Sequence, residues 1–144
     1  MGGILARSAC KRIPSDQIFL ANRTVEKAKA LAEELDNPHA VFRVAVEGDS
    51  LLGYVGMHHL VDEGFITNVA VSPAARRRGV ARALLAHLAD YGRAHTLYRV
   101  TLEVRVGNTP ARTLYESEGY TLDGIRPGFY RDPAEDAAIY SLYF

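Results

Sequence analysis

The 144-residue sequence predicts an α+β (mixed α/β) fold, in which helices flank a central, twisted and mostly antiparallel sheet. Residues 98–106 alternate strictly between apolar and polar side chains, as a half-buried strand does. Apolar runs at 41–46 and 51–58 flank Glu47-Gly-Asp-Ser50, which favours a hairpin. The run at 65–71 is a further strand candidate. Together these segments predict a sheet of at least four strands.

The N-terminal third predicts a helix, a strand and a second helix. Residues 4–11 are expected to be helical, and residues 17–21 form a short strand. Thr24 is a plausible N-cap for a helix that continues to Leu35, because its apolar positions follow a 3.6-residue period. Pro38 cannot continue that helix, which therefore ends before it.

The C-terminal half predicts two further helices. One runs from Val80 to about His95 and buries one apolar stripe, formed by Val80, Leu84, Leu88 and Tyr91. The other begins after Asn108 and ends at Gly119, a residue that readily adopts the left-handed conformation of a helix C-terminus. Residues 120–125 and 137–144 read as closing strands, joined by a loop at 126–136.

Composition limits the possible classes of protein. The length favours one domain spanning residues 1–144, and the net charge of zero argues against a general nucleic-acid binder. A single cysteine, Cys10, excludes internal disulfides. No apolar run is long enough to span a bilayer and no signal peptide is evident, so we expect a cytoplasmic protein. We expect no metal site, because no ligand spacing relates His39, His58, His59, His87 and His95.

The pattern Arg76-x-x-Gly79-x-Ala81 lies between the 65–71 strand and the helix from Val80. The first N–H groups of a helix lack internal partners, and the helix dipole favours an anion there. Small residues let the backbone approach a ligand closely, and neighbouring arginines add positive charge. We therefore predict a pyrophosphate cradle. The alternative is a solvated basic turn.

Three residues are candidates for proton transfer or ligand binding. Glu103 lies on the polar face of the 98–106 strand and could accept a proton, although it could instead be a surface glutamate paired with Arg105. Tyr115 could donate a proton to a leaving group, or it could be a core tyrosine. Asn108 could cap a helix or bond an extended amide ligand, and these roles are compatible.

Residues from about 33 to 144 resemble the GNAT superfamily of N-acetyltransferases, and within it the RimI-type ribosomal-protein alanine N-acetyltransferases. The basic turn is similar to the superfamily's Gln/Arg-x-x-Gly-x-Gly/Ala signature. The matching segments are Ile66-Thr-Asn-Val-Ala-Val71, Arg76-x-x-Gly-x-Ala81, Leu102-Glu-Val-Arg105, Asn108-Thr-Pro-Ala111, Leu114-Tyr-Glu116, Gly119-Tyr120, Ile125-Arg-Pro-Gly-Phe-Tyr130 and Glu135-Asp-Ala-Ala-Ile139.

The resemblance implies the GNAT fold, acetyl-CoA as cosubstrate and the α-amino group of a ribosomal protein's N-terminal alanine as acceptor. It implies that Glu103 accepts a proton and Tyr115 donates one. Phe129 and Tyr130 would lie on a loop that walls the peptide groove. Residues expected to contact acetyl-CoA are Val69, Ala70, Val71, Arg76, Arg77, Arg78, Gly79, Val80, Ala81, Arg82 and Asn108.

Residues 1–35 resemble instead the early Rossmann segment of pyrroline-5-carboxylate reductases, through Met1-Gly-Gly and Asn22-Arg-Thr24. The first strand and leading glycines of a dinucleotide site are absent. We therefore interpret the chain as a hybrid of residues 1–35 with a GNAT core at 36–144. An altered acceptor groove would leave two alternatives open, a small-molecule amine acetyltransferase and a non-catalytic CoA-binding module. An NADPH-binding reductase fragment is a third.

Overall fold

The computed structural model of the chain describes residues 5–8, 36–47 and 50–144. These residues form one sheet and two helices, α1 (Val80–Ala94) and α2 (Thr109–Ser117), with a 3-10 turn at Pro73–Ala75. The strands are β1 (Leu5–Ser8), β2 (Ala40–Glu47), β3 (Ser50–Leu60), β4 (Glu63–Val71), β5 (Arg99–Arg105), β6 (Thr121–Arg131) and β7 (Ala134–Tyr143). Their order is β1-β2-β3-β4-β5-β7-β6, and only β4 and β5 run parallel. This mixed, mostly antiparallel sheet confirms the predicted fold class.

Helix α1 forms the main core by packing its apolar stripe against the sheet. Val80, Leu84 and Leu88 are buried as predicted, whereas Tyr91 is only partly buried. The sheet contributes buried side chains from several strands, namely Val55, Met57, Val100, Leu102 and Val104. In the described part of the chain, no helix is long and apolar enough to cross a membrane.

The predicted alternation is confirmed throughout β5 but not at Tyr98, which precedes the strand. Val100, Leu102 and Val104 are buried, but Tyr98 is 57% exposed, so its predicted place on the apolar face is wrong. The strand begins only at Arg99, and the Tyr98 ring contacts Tyr143 edge-on at the end of the sheet. The predicted strand at 98–106 therefore extends one residue beyond β5 at each end.

The helix predicted at residues 4–11 is wrong where the structure describes it. Leu5–Ser8 form β1, an edge strand that pairs antiparallel with Arg43–Val46 of β2. A short segment carries little periodic signal, and the exposed edge of β2 decides its conformation through long-range pairing. The strand predicted at 17–21 and the helix predicted from Thr24 to Leu35 lie outside the described residues.

The predicted loop at 126–136 is also wrong, because β6 and β7 extend through most of it. The two strands meet at a turn on Asp132 and Pro133, so Phe129 and Tyr130 lie on strand β6. Pro127 and Gly128 belong to a bulge in β6, since Arg126 pairs with Ala137 and Tyr130 with Glu135. Gly128 has a φ of 62°, and its N–H donates to an Asp136 carboxylate oxygen at 2.8 Å.

The ends of α2 agree with the sequence. Asn108 is the N-cap, and its side-chain oxygen accepts the Ala111 N–H at 3.3 Å. Gly119 follows the helix with a φ of 90°, and the Tyr120 N–H turns back to the Tyr115 carbonyl oxygen at 3.0 Å. These caps define the two ends of the helix that carries Tyr115.

Candidate active site

A cleft opens where the two parallel strands separate. Strands β4 and β5 pair only between Glu63–Phe65 and Arg99–Thr101, and beyond those residues they diverge. The resulting cleft of about 320 Å³ has walls from both strands and from α2 and β6. Its lining consists of Ile66, Thr67, Asn68, Val69, Leu102, Glu103, Val104, Arg105, Asn108, Tyr115 and Tyr130. Two strands that would otherwise share hydrogen bonds therefore present open edges to a ligand.

The edge of β4 offers backbone donors to this cleft. The Ser72 N–H donates to the Leu52 carbonyl oxygen of β3 at 2.8 Å. Because N–H groups alternate in direction along a strand, those of Val71 and Val69 turn away from β3 and toward the cleft. A bulge in β4 leaves Thr67 without a partner between the pairs Gly56–Asn68 and Met57–Ile66. An extended amide ligand could therefore pair with β4 as a strand does.

The predicted cradle follows β4 directly. Arg77 has a φ of 63° and Gly79 a φ of 78°, so the backbone turns sharply into α1. The Ala83 N–H is the first in α1 to bond back to the cap, at 3.0 Å from the Gly79 oxygen, which leaves the N–H groups of residues 80–82 outside the helical ladder. No atom lies within 4 Å of where a Cβ on Gly79 would stand. This helix end has the open backbone of an anion site.

Three of the four arginines around the cradle contact other protein groups. Arg78 donates to Glu47 at 2.6 Å, and Arg82 pairs with Glu118 at 3.2 Å. The Arg76 Nε lies 3.4 Å from the Val71 carbonyl oxygen. Among the described residues, Arg77 has neither a hydrogen bond nor an ion pair. The positive charge that a phosphate would meet is therefore partly balanced by neighbouring carboxylates.

Glu103 projects from the polar face of β5 into the cleft. Its Oε1 lies 2.5 Å from Arg126 Nη1 of β6. The alternative pairing with Arg105 is wrong, because Arg105 donates to the carbonyl oxygens of Asp132 and Pro133 and lies 3.6 Å from Glu135. Residues two apart on a strand share a face, but the β6–β7 hairpin supplied closer partners for both charges.

Tyr115 combines both sequence interpretations, since it is a buried core residue and also lines the cleft. Burial raises the pKa of its phenol, and nearby Tyr130 raises it further. Its ring lies 5.9 Å from that of Tyr120 and 6.3 Å from that of Tyr140. The hydroxyl makes no hydrogen bond to any residue in the described ranges, and its raised pKa keeps it protonated near neutral pH.

Of the remaining predicted site residues, some line the cleft and others lie outside it. Asn108 lines the cleft while its side chain caps α2, so both expected roles fit one position. Tyr130 lines the cleft, and the Arg105 guanidinium lies 4.2 Å from its ring centre. Phe129 does not line the cleft; it is 40% exposed and contacts Arg126 and Tyr130. The described residues contain no cluster of three or more metal-ligating side chains.

Sequence reasoning missed part of the site. The unpredicted lining residues are Ile66, Thr67, Asn68, Leu102, Val104 and Arg105. Arg126, which pairs with Glu103, was also missed. The β4 and β5 residues could have been found by noting that a ligand between separating strands contacts both. Arg126 had no local signal, because its partner is distant in sequence.

Comparison with known proteins agrees with this geometry. The model of the Acetyltransferase (GNAT) family matches residues 10–120. The N-alpha-acetyltransferase RimI of Mycobacterium tuberculosis is 34% identical, over 94% of this chain and 87% of its own length. The ribosomal-protein-S18-alanine N-acetyltransferase of Escherichia coli superimposes with a TM-score of 0.83 at 26% identity, covering 96% of this chain and 92% of that chain. An acetyl-CoA-bound GNAT acetyltransferase from Elizabethkingia anophelis shares the fold, with a TM-score of 0.76, 17% identity and coverage of 99% and 97%.

These similarities give no support to a hybrid chain. The family match begins at residue 10, within the segment that resembled a reductase, and the M. tuberculosis relative aligns over nearly the whole chain. The strand at Leu5–Ser8 also joins the main sheet at its edge. With the cleft, the separated strands and the family match in agreement, the chain belongs to the GNAT family and is an N-acetyltransferase.

Proposed function

We propose that this protein transfers the acetyl group of acetyl-CoA to the N-terminal α-amino group of a protein, of the ribosomal-protein alanine type. The observation that carries the proposal is the cleft between the separated strands, because Glu103 and Tyr115 stand on its walls. Open backbone donors on β4 lead from this cleft toward the start of α1. A proton acceptor, a proton donor and a groove for an extended thioester are thus gathered in one place.

The residues present fit acetyl-CoA. The N–H groups of Val69 and Val71 suit the amides of its pantetheine arm, which can add to β4 as a strand adds to a sheet edge. The exposed N–H groups at residues 80–82 suit its diphosphate. Open space at Gly79 lets a phosphate approach the backbone closely. Asn108, on the wall of the cleft, offers further polar groups to the arm.

Glu103 and Tyr115 divide the proton transfers between them. Acetyl-CoA supplies an activated thioester, whose C–S bond breaks as the new C–N bond forms. Glu103 takes the proton that the amine loses, directly or through water. Tyr115 gives its proton to the departing sulfur, and its raised pKa keeps that proton in place until then. A donor from the β4 backbone can stabilise the carbonyl oxygen during attack. No covalent enzyme intermediate is required.

Two kinds of observation support a peptide α-amino group as the acceptor, namely its acid–base chemistry and the similarity to known enzymes. A peptide α-amino group has a pKa of about 8, more than two units below that of lysine, so less work is needed to deprotonate it. The E. coli relative is named for alanine N-acetylation of ribosomal protein S18. Tyr130 supplies an aromatic wall on the β6 side of the cleft, and Phe129 extends it outside. Together these support a peptide terminus as the acceptor.

The test is acetylation of Ala-initiated peptides, followed by mass spectrometry, with Glu103→Gln as the diagnostic variant. Loss of the base should lower kcat by about 10²- to 10⁴-fold. Glu63→Gln is the matched control, because Glu63 also projects from the sheet and pairs with an arginine, at 27% exposure against 29% for Glu103, yet lies outside the cleft. That control should retain activity.

Other results would reject parts of the proposal. Acetylation of polyamines without acetylation of peptides would identify a small-molecule enzyme instead. If wild type binds CoA but shows only the background turnover of Glu103→Gln, the catalytic role is lost. Saturable NADPH binding would point to the reductase alternative.

A further inference from the structure

The most unusual feature near the cleft is an arginine that reaches Glu103 across an intervening strand. Glu103 of β5 is in register with Ile139 of β7, whereas Arg126 of β6 is in register with Ala137. Neighbouring strands lie about 4.8 Å apart, so Arg126 must extend diagonally over β7 to bring Nη1 to Glu103. Ala137 is small and fully buried, as expected where a longer side chain crosses it.

Two contacts restrict the Arg126 side chain. Its Nη1 contacts Glu103, and the Phe129 ring centre lies 5.4 Å from its guanidinium carbon. Phe129 in turn meets Tyr130 edge-on, with ring centres 5.0 Å apart. Tyr130 packs under Arg105. These contacts connect Glu103 to the wall of the cleft and restrict where its carboxylate can point.

The shortest contact between Arg126 and Glu103 is made by one carboxylate oxygen, Oε1. Oε1 lies 2.5 Å from Arg126 Nη1, while Oε2 accepts no hydrogen bond from any residue that the structure describes. A base must present a free lone pair toward the proton it removes, and its orientation matters as much as its basicity. A carboxylate fixed through one oxygen and open at the second satisfies that need. Arg126 itself does not line the cleft.

We propose that Arg126 is a positioning residue, which holds Glu103 through Oε1 so that Oε2 faces the acceptor amine. This inference rests on the proposed role of Glu103 as the base. Arg126 acts through Glu103 and does not touch the reacting atoms. It assigns the β6–β7 hairpin, which carries Arg126, a role in catalysis. It also gives Phe129 a function, as the ring that supports Arg126.

A double-mutant cycle between Arg126 and Glu103 tests the proposal with an Ala-initiated peptide. Arg126→Gln should lower kcat by about 10- to 100-fold through misplacement of the base, with the KM for acetyl-CoA unchanged. In the Glu103→Gln background the same substitution should have almost no further effect, because the residue through which it acts is gone. Arg126→Lys should restore much of the activity, since an ammonium can hold a single oxygen.

Arg99→Gln is the matched control, because Arg99 lies on the same face of the sheet, pairs with Glu63 and stands outside the cleft. Thermal denaturation of each variant identifies any loss of folding. Equal losses from Arg126→Gln in both backgrounds, or full activity of Arg126→Gln, would overturn the positioning role. Unchanged activity of Glu103→Gln alone would instead overturn the proposed function, so the two failures are distinguishable.

Discussion

The two ends of the cleft are built from different parts of the chain. At the proposed cofactor end, the groups available to a ligand are backbone N–H groups of β4 and of the first turn of α1. At the proposed acceptor end, side chains contact one another in a series that runs from Glu103 through Arg126 and Phe129 to Tyr130. The first end depends on backbone conformation, whereas the second depends on pairs of side chains. Substitutions should therefore affect the two ends in different ways.

After the loss of the base in Glu103→Gln, the largest effect is expected where the two ends meet, at Tyr115. Tyr115→Phe removes the proposed proton donor while keeping the ring that packs in the core. We expect kcat to fall by about 100-fold, because general acid catalysis commonly contributes that much. Steady-state kinetics with both substrates would measure it, and the KM for acetyl-CoA should change little.

Tyr120→Phe provides the control. Tyr120 is also buried, its hydroxyl has no partner in the described structure, and it does not line the cleft. Removing an unsatisfied buried hydroxyl should preserve activity and leave stability equal or higher. If both variants lose activity equally, the effect comes from packing and the donor role of Tyr115 fails.

A smaller effect is expected at the backbone end, from Gly79→Ala. The φ of 78° strains any other residue by roughly 1–2 kcal/mol, although space for a methyl group is open. If the loop relaxes to escape that strain, the KM for acetyl-CoA should rise by about tenfold, while the KM for the peptide stays constant. Gly124→Ala is the control, because its Cβ also meets nothing within 4 Å and Gly124 lacks a positive φ. A rise in peptide KM alone would contradict the division between the ends.

The smallest effect is expected from alkaline pH. Burial raises the pKa of Tyr115 above its usual value of about 10, so the phenol keeps its proton to higher pH than a free tyrosine does. With an α-amino acceptor that is already deprotonated, kcat should vary by less than about twofold between pH 9 and 10. A pH–rate profile measures this. If kcat instead falls steeply in that interval, and Tyr115→Phe abolishes the fall, the Tyr115 phenol loses its proton at lower pH than its burial predicts.

The sequence predicts the backbone end far better than the side-chain end. The strand, turn and helix around Gly79 are local, and short-range spacing encodes their geometry. The alternation in β5 likewise places Glu103 on the polar face. The pairing of Glu103 with Arg126 depends on strand order and on a bulge in β6, which local spacing does not encode. The strand at Leu5–Ser8 was missed for the same reason, because its partner β2 is distant in sequence.

The brief pairing of β4 with β5 has a thermodynamic consequence. Only three residue pairs join these strands, so the centre of the sheet lacks the bonds that a bound pantetheine arm would supply. A ligand that binds only the folded state at 100 times its dissociation constant adds about 2.7 kcal/mol to the free energy of unfolding. The melting temperature should therefore depend on cosubstrate concentration, and slowed hydrogen exchange at the Val69 and Val71 amides would report occupancy residue by residue.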